Sequence, residues 1–358
     1  FVSLSEQELE AGNQGLPVFE RLAARILQGD DSESLLGTMK ILYPSSLEDV
    51  PPEVLAKAWE LHGDRVTRLM SASRSPALSR EKTLRVLLQV VFNAFQSGMY
   101  TEKPMFNHCD LPNCASFGKG ERPMPGGDSK VCNMSEVVAT RLIKEGKEIT
   151  ICYISPSQQS YTARCILWEA QHIVPLGPSP WPAEMEAFAG EGIDGFDRSA
   201  ALQKLEAIED GMRSVGELLE SGQMEHNYAL AALQGVPITE LVSPKHLAAW
   251  RWKDLMVQCL HAVVTQHEQP DPLLVIQILR LSLQLLEAMK HNDVLGPDHC
   301  DIARAQCDVH QSLDYLLNNG HMKLLADAFP GALDAPGKIS RAEFAARKEY
   351  LRISKLYT

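Results

Sequence analysis

The chain has 358 residues, of which 45% are hydrophobic and 22% charged, and its net charge is −12. That length allows a substantial buried core and suggests about two domains, and the composition is that of an ordinary globular protein. The acidic balance speaks against a general nucleic-acid binder, which carries a basic patch, and suits a basic partner such as a lysine-rich protein segment. The eight cysteines are scattered, with no Cys-x-x-Cys. In a chain this long that pattern predicts reduced thiols in an intracellular compartment, not a disulfide framework. The chain opens on Phe1, which predicts a processed or truncated start, and shows no signal peptide.

Residues 1–92 read as helical. Leu22, Ala23, Ile26 and Leu27 share one helix face. Pro51-Pro52 precedes Val54, Leu55, Ala58, Trp59 and Leu61, and proline is favourable at a helix start. Thr83 to Phe95 is apolar and ends near Gly98. Residues 93–174 change character, with short apolar runs broken by Gly, Pro and Asn. Strands are predicted over Val131–Ala139 and Glu148–Ile154, and Lys119–Lys130 reads as a Gly/Pro-rich loop.

A linker is predicted over residues 175–198, where Pro175–Gly195 is rich in Pro and Gly. Residues 199–358 then read as all-helical. Helices are predicted over Ser199–Leu219, Glu225–Leu233, Pro244–Gln266, Pro272–Lys290, Pro297–Asn318 and Arg341–Leu356, each with apolar residues at three-and-four spacing. Short breaks such as Gly296-Pro297 and Asn319-Gly320 separate successive antiparallel helices, which resemble a tetratricopeptide-like array. The most apolar run, Leu273–Met289, contains Arg280 and Gln284 and reads as too short and polar to span a membrane.

The chemistry-bearing residues lie in the middle segment. In order they are Asn93-Ala94-Phe95, Gly98-Met99-Tyr100, Asn107-His108, Pro112-Asn113-Cys114, Arg141, Gly146, Glu148-Ile149 and Tyr153. This ordered set resembles the back half of a SET domain of the SMYD branch. That family runs from Asn-Ala-Phe through Gly-x-Tyr and Asn-His-Ser-Cys-x-Pro-Asn-Cys to Arg-x-Ile-x-x-Gly-Glu-Glu-Ile and a tyrosine. Arg21 to Leu27 resembles the helix before the family's core, and Gly296-Pro297-Asp298-His299 resembles a Gly-His-Pro turn in its helical domain. The implied fold is α+β: a partial SET-type β-fold with N-terminal helices, followed by a C-terminal all-helical tetratricopeptide-like array.

The resemblance implies S-adenosylmethionine-dependent methylation of lysine on a protein. Displacement at a sulfonium methyl needs proximity and alignment more than acid–base help. The lysine must first lose its proton, which at pH 7 costs on the order of 4–5 kcal/mol for a pKa of about 10.4. A narrow apolar channel lowers that cost by disfavouring the ammonium. By resemblance Tyr153 orients the neutral amine, Asn107 and His108 bind the cofactor, Asn93 lies near the same pocket, and Tyr100 lines the lysine channel.

The chain also departs from the family. Cys109 stands where serine is usual, Asp110 where cysteine is usual, and Lys147 replaces the first glutamate of the Gly-Glu-Glu run. The family's zinc cluster after the core is reduced to Cys165, and its partner cysteine is Asp110, so no metal site is expected. The front half with its Gly-x-Gly segment is missing, and Gly12-Asn13-Gln14-Gly15 is no substitute. These departures favour an alternative: a catalytically inactive SET-derived binding or structural subunit of a larger assembly, docking through its helical array. Fold alone does not choose between the two.

Overall fold

The structure, a computed structural model, describes residues 18–28, 32–72, 78–95, 98–99, 103–123, 131–153, 182–290 and 295–357. It is mostly helical, with short strands in the middle of the chain. The first helices are α1 (Val18–Gln28), α2 (Ser32–Thr38), α3 (Pro52–Ala72) and α4 (Arg80–Asn93). The strands are β1 (Ala94–Phe95), β2 (Gly98–Met99), β3 (Asn107–His108), β4 (Cys114–Pro123), β5 (Val131–Ala139) and β6 (Thr150–Ile151). They pair as β1 with β2, β3 with β6 and β4 with β5. The expected strand at 131–139 is present, and the one expected over 148–154 is reduced to Thr150–Ile151. Residues 119–123 correct the loop expectation: they lie in β4, because pairing with β5 holds a Gly/Pro-containing segment extended.

The chain divides into two compact units. One comprises Phe1–Asn107, Ser116–Val137 and Cys165–Pro178, the other His108–Ala115, Val138–Arg164 and Ser179–Thr358. In the first, α1 and α3 both pack on α4. The Ser79 hydroxyl caps α4 by accepting from the Lys82 N–H at 3.1 Å. The apolar face read from the sequence is the buried one: Leu22, Ala23, Ile26 and Leu27 join Val66, Leu69, Leu84 and Leu87 in one core. Glu20 is fully buried in this unit and is neutralised by Arg68 at 2.8 Å and Arg65 at 3.4 Å. Buried His62 lies 3.3 Å from Arg65, and burial first, then the Arg65 charge, pushes its pKa from 6.5 down to about 4.

Two carboxamides one turn apart on α4 fasten the chain between α2 and α3. The Gln89 side-chain amide donates to the carbonyls of Met39 (3.0 Å), Leu42 (3.3 Å) and Pro44 (2.9 Å). Asn93 donates to the Tyr43 carbonyl at 2.6 Å and to the Gln89 carbonyl at 2.8 Å. Gln89→Ala takes this donor from the buried Leu42 and Pro44 carbonyls, while the Met39 carbonyl keeps the Leu42 N–H, and urea unfolding of this variant should show a loss of about 2 kcal/mol. A loss within error would mean that water replaces the amide.

The second unit carries α5 (Arg198–Glu220), α6 (His226–Gln234), α7 (Ile238–Leu241), α8 (Leu247–Thr265), α9 (Pro272–Lys290), α10 (Cys300–Asn318), α11 (Met322–Ala328) and α12 (Pro336–Ser354). Asp197 caps α5 by accepting from Ser199 and Ala200, at 3.0 and 3.1 Å. Helix α6 packs on α8, α8 on α9, α9 on α10 and α10 on α12, so long helices close in sequence are neighbours in space. Their inward faces form one core, with Trp250, Leu260, Leu279 and Leu316 at its most buried positions.

Residues 182–198 differ from the expected linker. Met185 and Phe188 are buried in the helical core, and Ala187 and Ala189 hydrogen-bond to Ser243 and Leu241 at 2.9 and 3.1 Å. Two apolar anchors outweigh the turn-forming residues around them. Among the described residues only α9 is long and apolar enough to cross a bilayer, and 56% of its most apolar window is buried inside the protein. Val275, Ile278, Leu279 and Leu285 make it a central core helix.

Candidate functional site

The pairing of β3 with β6 joins segments distant in sequence. The Cys109 N–H donates to the Ile151 carbonyl at 2.9 Å. Asn113 fixes the register between them. Its Oδ1 accepts from the Thr150 N–H (2.9 Å), its Nδ2 donates to the Glu148 carbonyl (2.8 Å), and its own carbonyl accepts from the Thr140 N–H (2.9 Å). One side chain thus serves as donor and acceptor to β6 and its approach, as a primary amide can.

That register brings His108 to Tyr153. The His108 Nδ1 accepts from the Tyr153 backbone N–H at 3.0 Å, and the two rings lie 5.4 Å apart, tilted at 50°. An Nδ1 that accepts cannot carry the proton, so the neutral ring holds it on Nε2. Nε2 lies 3.3 Å from Asp110 Oδ1, and both side chains are only 10% exposed. Burial raises the Tyr153 pKa above its ordinary value, so its hydroxyl stays protonated at neutral pH. The Cys109 thiol, standing where the resembled family has serine, donates to the Leu111 carbonyl at 3.3 Å.

Helical residues of the same unit brace this region. The Asp298 N–H donates to the Thr140 carbonyl at 3.0 Å, just after β5. Gly296 passes so close that a Cβ there would lie 2.6 Å from the Thr140 carbonyl carbon, and closer still to its oxygen. This approach explains the glycine of the Gly296-Pro297-Asp298-His299 turn. Asp298 is held in turn by the Arg352 guanidinium through its carboxylate and by the Tyr357 hydroxyl, which donates to its carbonyl at 2.8 Å. His299 caps α10, its Nδ1 accepting from the Asp301 N–H at 3.1 Å.

Of the residues singled out in the sequence, His108 and Tyr153 come together, and Asn107 precedes His108 in β3 with an exposed side chain. Asn93, like Asn107, is assigned to the first unit, where its amide nitrogen binds main-chain carbonyls. That is a structural use the sequence did not suggest, because Tyr43 is remote along the chain. Tyr100, Cys165 and Gly12 to Gly15 lie outside the described residues. Lys147 is exposed. Asn113 and Gly296 were visible only as motif letters; their tasks are non-local.

Two groups of potential metal ligands occur among the described residues: His108 with Asp110 and Cys152, and His299 with Cys300 and Asp301. In both, the histidine Nδ1 already accepts a backbone N–H, from Tyr153 and from Asp301 respectively. That leaves the proton on Nε2, so neither ring presents a lone pair to a metal without giving up its hydrogen bond. Burial also drives the Cys300 thiol up to about 11, away from the thiolate a metal needs. The sequence matches no model of a known protein family and no curated protein.

Proposed function

We propose that this chain is a SET-type protein that methylates lysine on a protein partner, with S-adenosylmethionine as the methyl donor. The observation that carries the reading is the hydrogen bond between His108 and the Tyr153 backbone, which couples the two segments the family resemblance assigns to cofactor and amine. The cofactor would supply an activated methyl on a sulfonium. The described residues fit the amine side of such a site: a neutral, half-buried tyrosine hydroxyl hydrogen-bonds an amine without stabilising its charged form. Tyr153 then orients the lysine nitrogen, and Asn107 and His108 hold the cofactor. The buried thiols Cys114 and Cys259, both raised in pKa by burial, suit an intracellular reducing compartment.

One observation favours the second reading, a SET-derived binding or structural subunit without activity. Asp110 sets a poorly exposed carboxylate against His108, and a methyl donor that itself bears a carboxylate would be disfavoured beside it. Tyr153→Phe separates the two. The variant keeps the backbone N–H that binds His108 and loses only the hydroxyl. Transfer of labelled methyl from S-adenosylmethionine to a lysine-rich protein should fall about a hundredfold in Tyr153→Phe. Transfer that is absent in the wild type would favour the inactive subunit, and transfer unchanged in the variant would take the amine-orienting role away from Tyr153.

A further inference from the structure

Helix α12 carries an ordered positive stripe on an acidic chain. Phe344, Arg347, Lys348, Leu351, Arg352 and Lys355 follow one another at three-and-four spacing and line a concavity of about 520 Å³. The helix has two faces with the same heptad step. Ile339, Ala346 and Ile353 point into the core, while Phe344 and Leu351 stand 65% and 45% exposed. Part of the stripe has a local explanation: cations favour the C-terminal end of a helix, and Arg352 is ion-paired with Glu349 and Asp298. That does not account for two large apolar side chains set a heptad apart in water with Arg347 and Lys348 between them.

We propose that this stripe docks an acidic amphipathic helix of a partner protein. Apolar side chains on such a helix, spaced by one heptad, would cover Phe344 and Leu351, and its carboxylates would meet Arg347 and Lys348. Charge and the placing of the side chains decide against the other occupants. A second copy docking through the same stripe sets cation against cation. A helix that lies in a bilayer surface needs one broad apolar face with its cations on the other, whereas here two apolar side chains are interleaved with the cations. The proposal does not rest on the Tyr153 site and stands or falls separately from methyl transfer.

The test is fluorescence anisotropy of a labelled synthetic peptide with leucine at heptad spacing and glutamate beside it, titrated with the full chain. A scrambled peptide of the same composition is the control. Saturable binding is expected that weakens with salt, exceeds that of the scrambled peptide about tenfold, and drops about tenfold in both Phe344→Ser/Leu351→Ser and Arg347→Glu/Lys348→Glu. The replaced side chains are exposed, so unchanged melting temperatures will show that the variants still fold. Three results would overturn the proposal: equal binding of the scrambled peptide, binding unaffected by both double variants, or tighter binding to phosphatidylserine vesicles than to the peptide. Concentration-dependent self-association abolished by the same variants would assign the stripe to a second copy instead.

Discussion

Replacing Gly296 with alanine is expected to destabilise the unit that carries the candidate site by about 3 kcal/mol, the upper end for inserting a methyl where nothing can move aside. The atoms met are the carbonyl oxygen and carbon of Thr140 and its hydroxyl Oγ1; rotation could move the hydroxyl but not the two backbone atoms, so it does not relieve the overlap. Relief requires the turn to withdraw, which breaks the hydrogen bond from the Asp298 N–H to the same carbonyl. Urea unfolding measures the loss. Amide exchange should place it at Asp298 and Thr140, the latter donating to the Asn113 carbonyl. Wild-type stability in Gly296→Ala would show that the turn does not bear on Thr140 in solution.

The second large effect is acid sensitivity centred on His246. This residue caps α8, its Nδ1 accepting from the Ala248 N–H at 3.0 Å, and it is 1% exposed beside Phe188. Burial lowers its pKa from 6.5 to about 4. Because the folded value lies below the unfolded one, the unfolded chain binds more protons between them. The contribution is therefore complete above the unfolded value of 6.5 and disappears as pH falls through the folded value of about 4. The loss amounts to about 3 kcal/mol. His62 imposes the same sign in the other unit, over the same window. His246→Asn keeps an N-cap acceptor that does not titrate, so urea unfolding of this variant across the window should show a pH dependence reduced by about that amount. An unchanged slope would place the acid sensitivity elsewhere.

The helices were legible wherever periodicity had room to repeat. Pro272–Lys290 has the bounds read from its sequence, and Ser199–Leu219 is one residue longer at each end, at its start because Asp197 caps it. The helix expected from Pro244 starts at Leu247, because His246 takes the cap and Pro244 offers its carbonyl to Lys253 at 2.9 Å. The short α7 and α11 were missed, since one or two turns carry too little period to detect. The packing of Met185 and Phe188 was hidden by the prolines and glycines around them. At the site, Asn107, His108 and Tyr153 were legible as an ordered set, but their joining depends on the three-way bonding of Asn113. Asn93 looked like a pocket residue because its neighbours form a motif. Its use is set by Tyr43, fifty residues earlier, which no local pattern reveals.

Calorimetric titration of the whole chain with S-adenosylmethionine, with Asn107→Ala alongside, decides whether the protein holds a methyl donor. The side chain of Asn107 is exposed, and an unchanged melting temperature of Asn107→Ala will show that a loss of binding reports on the ligand. Micromolar binding that is lost in Asn107→Ala is the result predicted for a SET-type methyl-transfer site. No heat at millimolar cofactor, or binding that Asn107→Ala leaves unchanged, would contradict it.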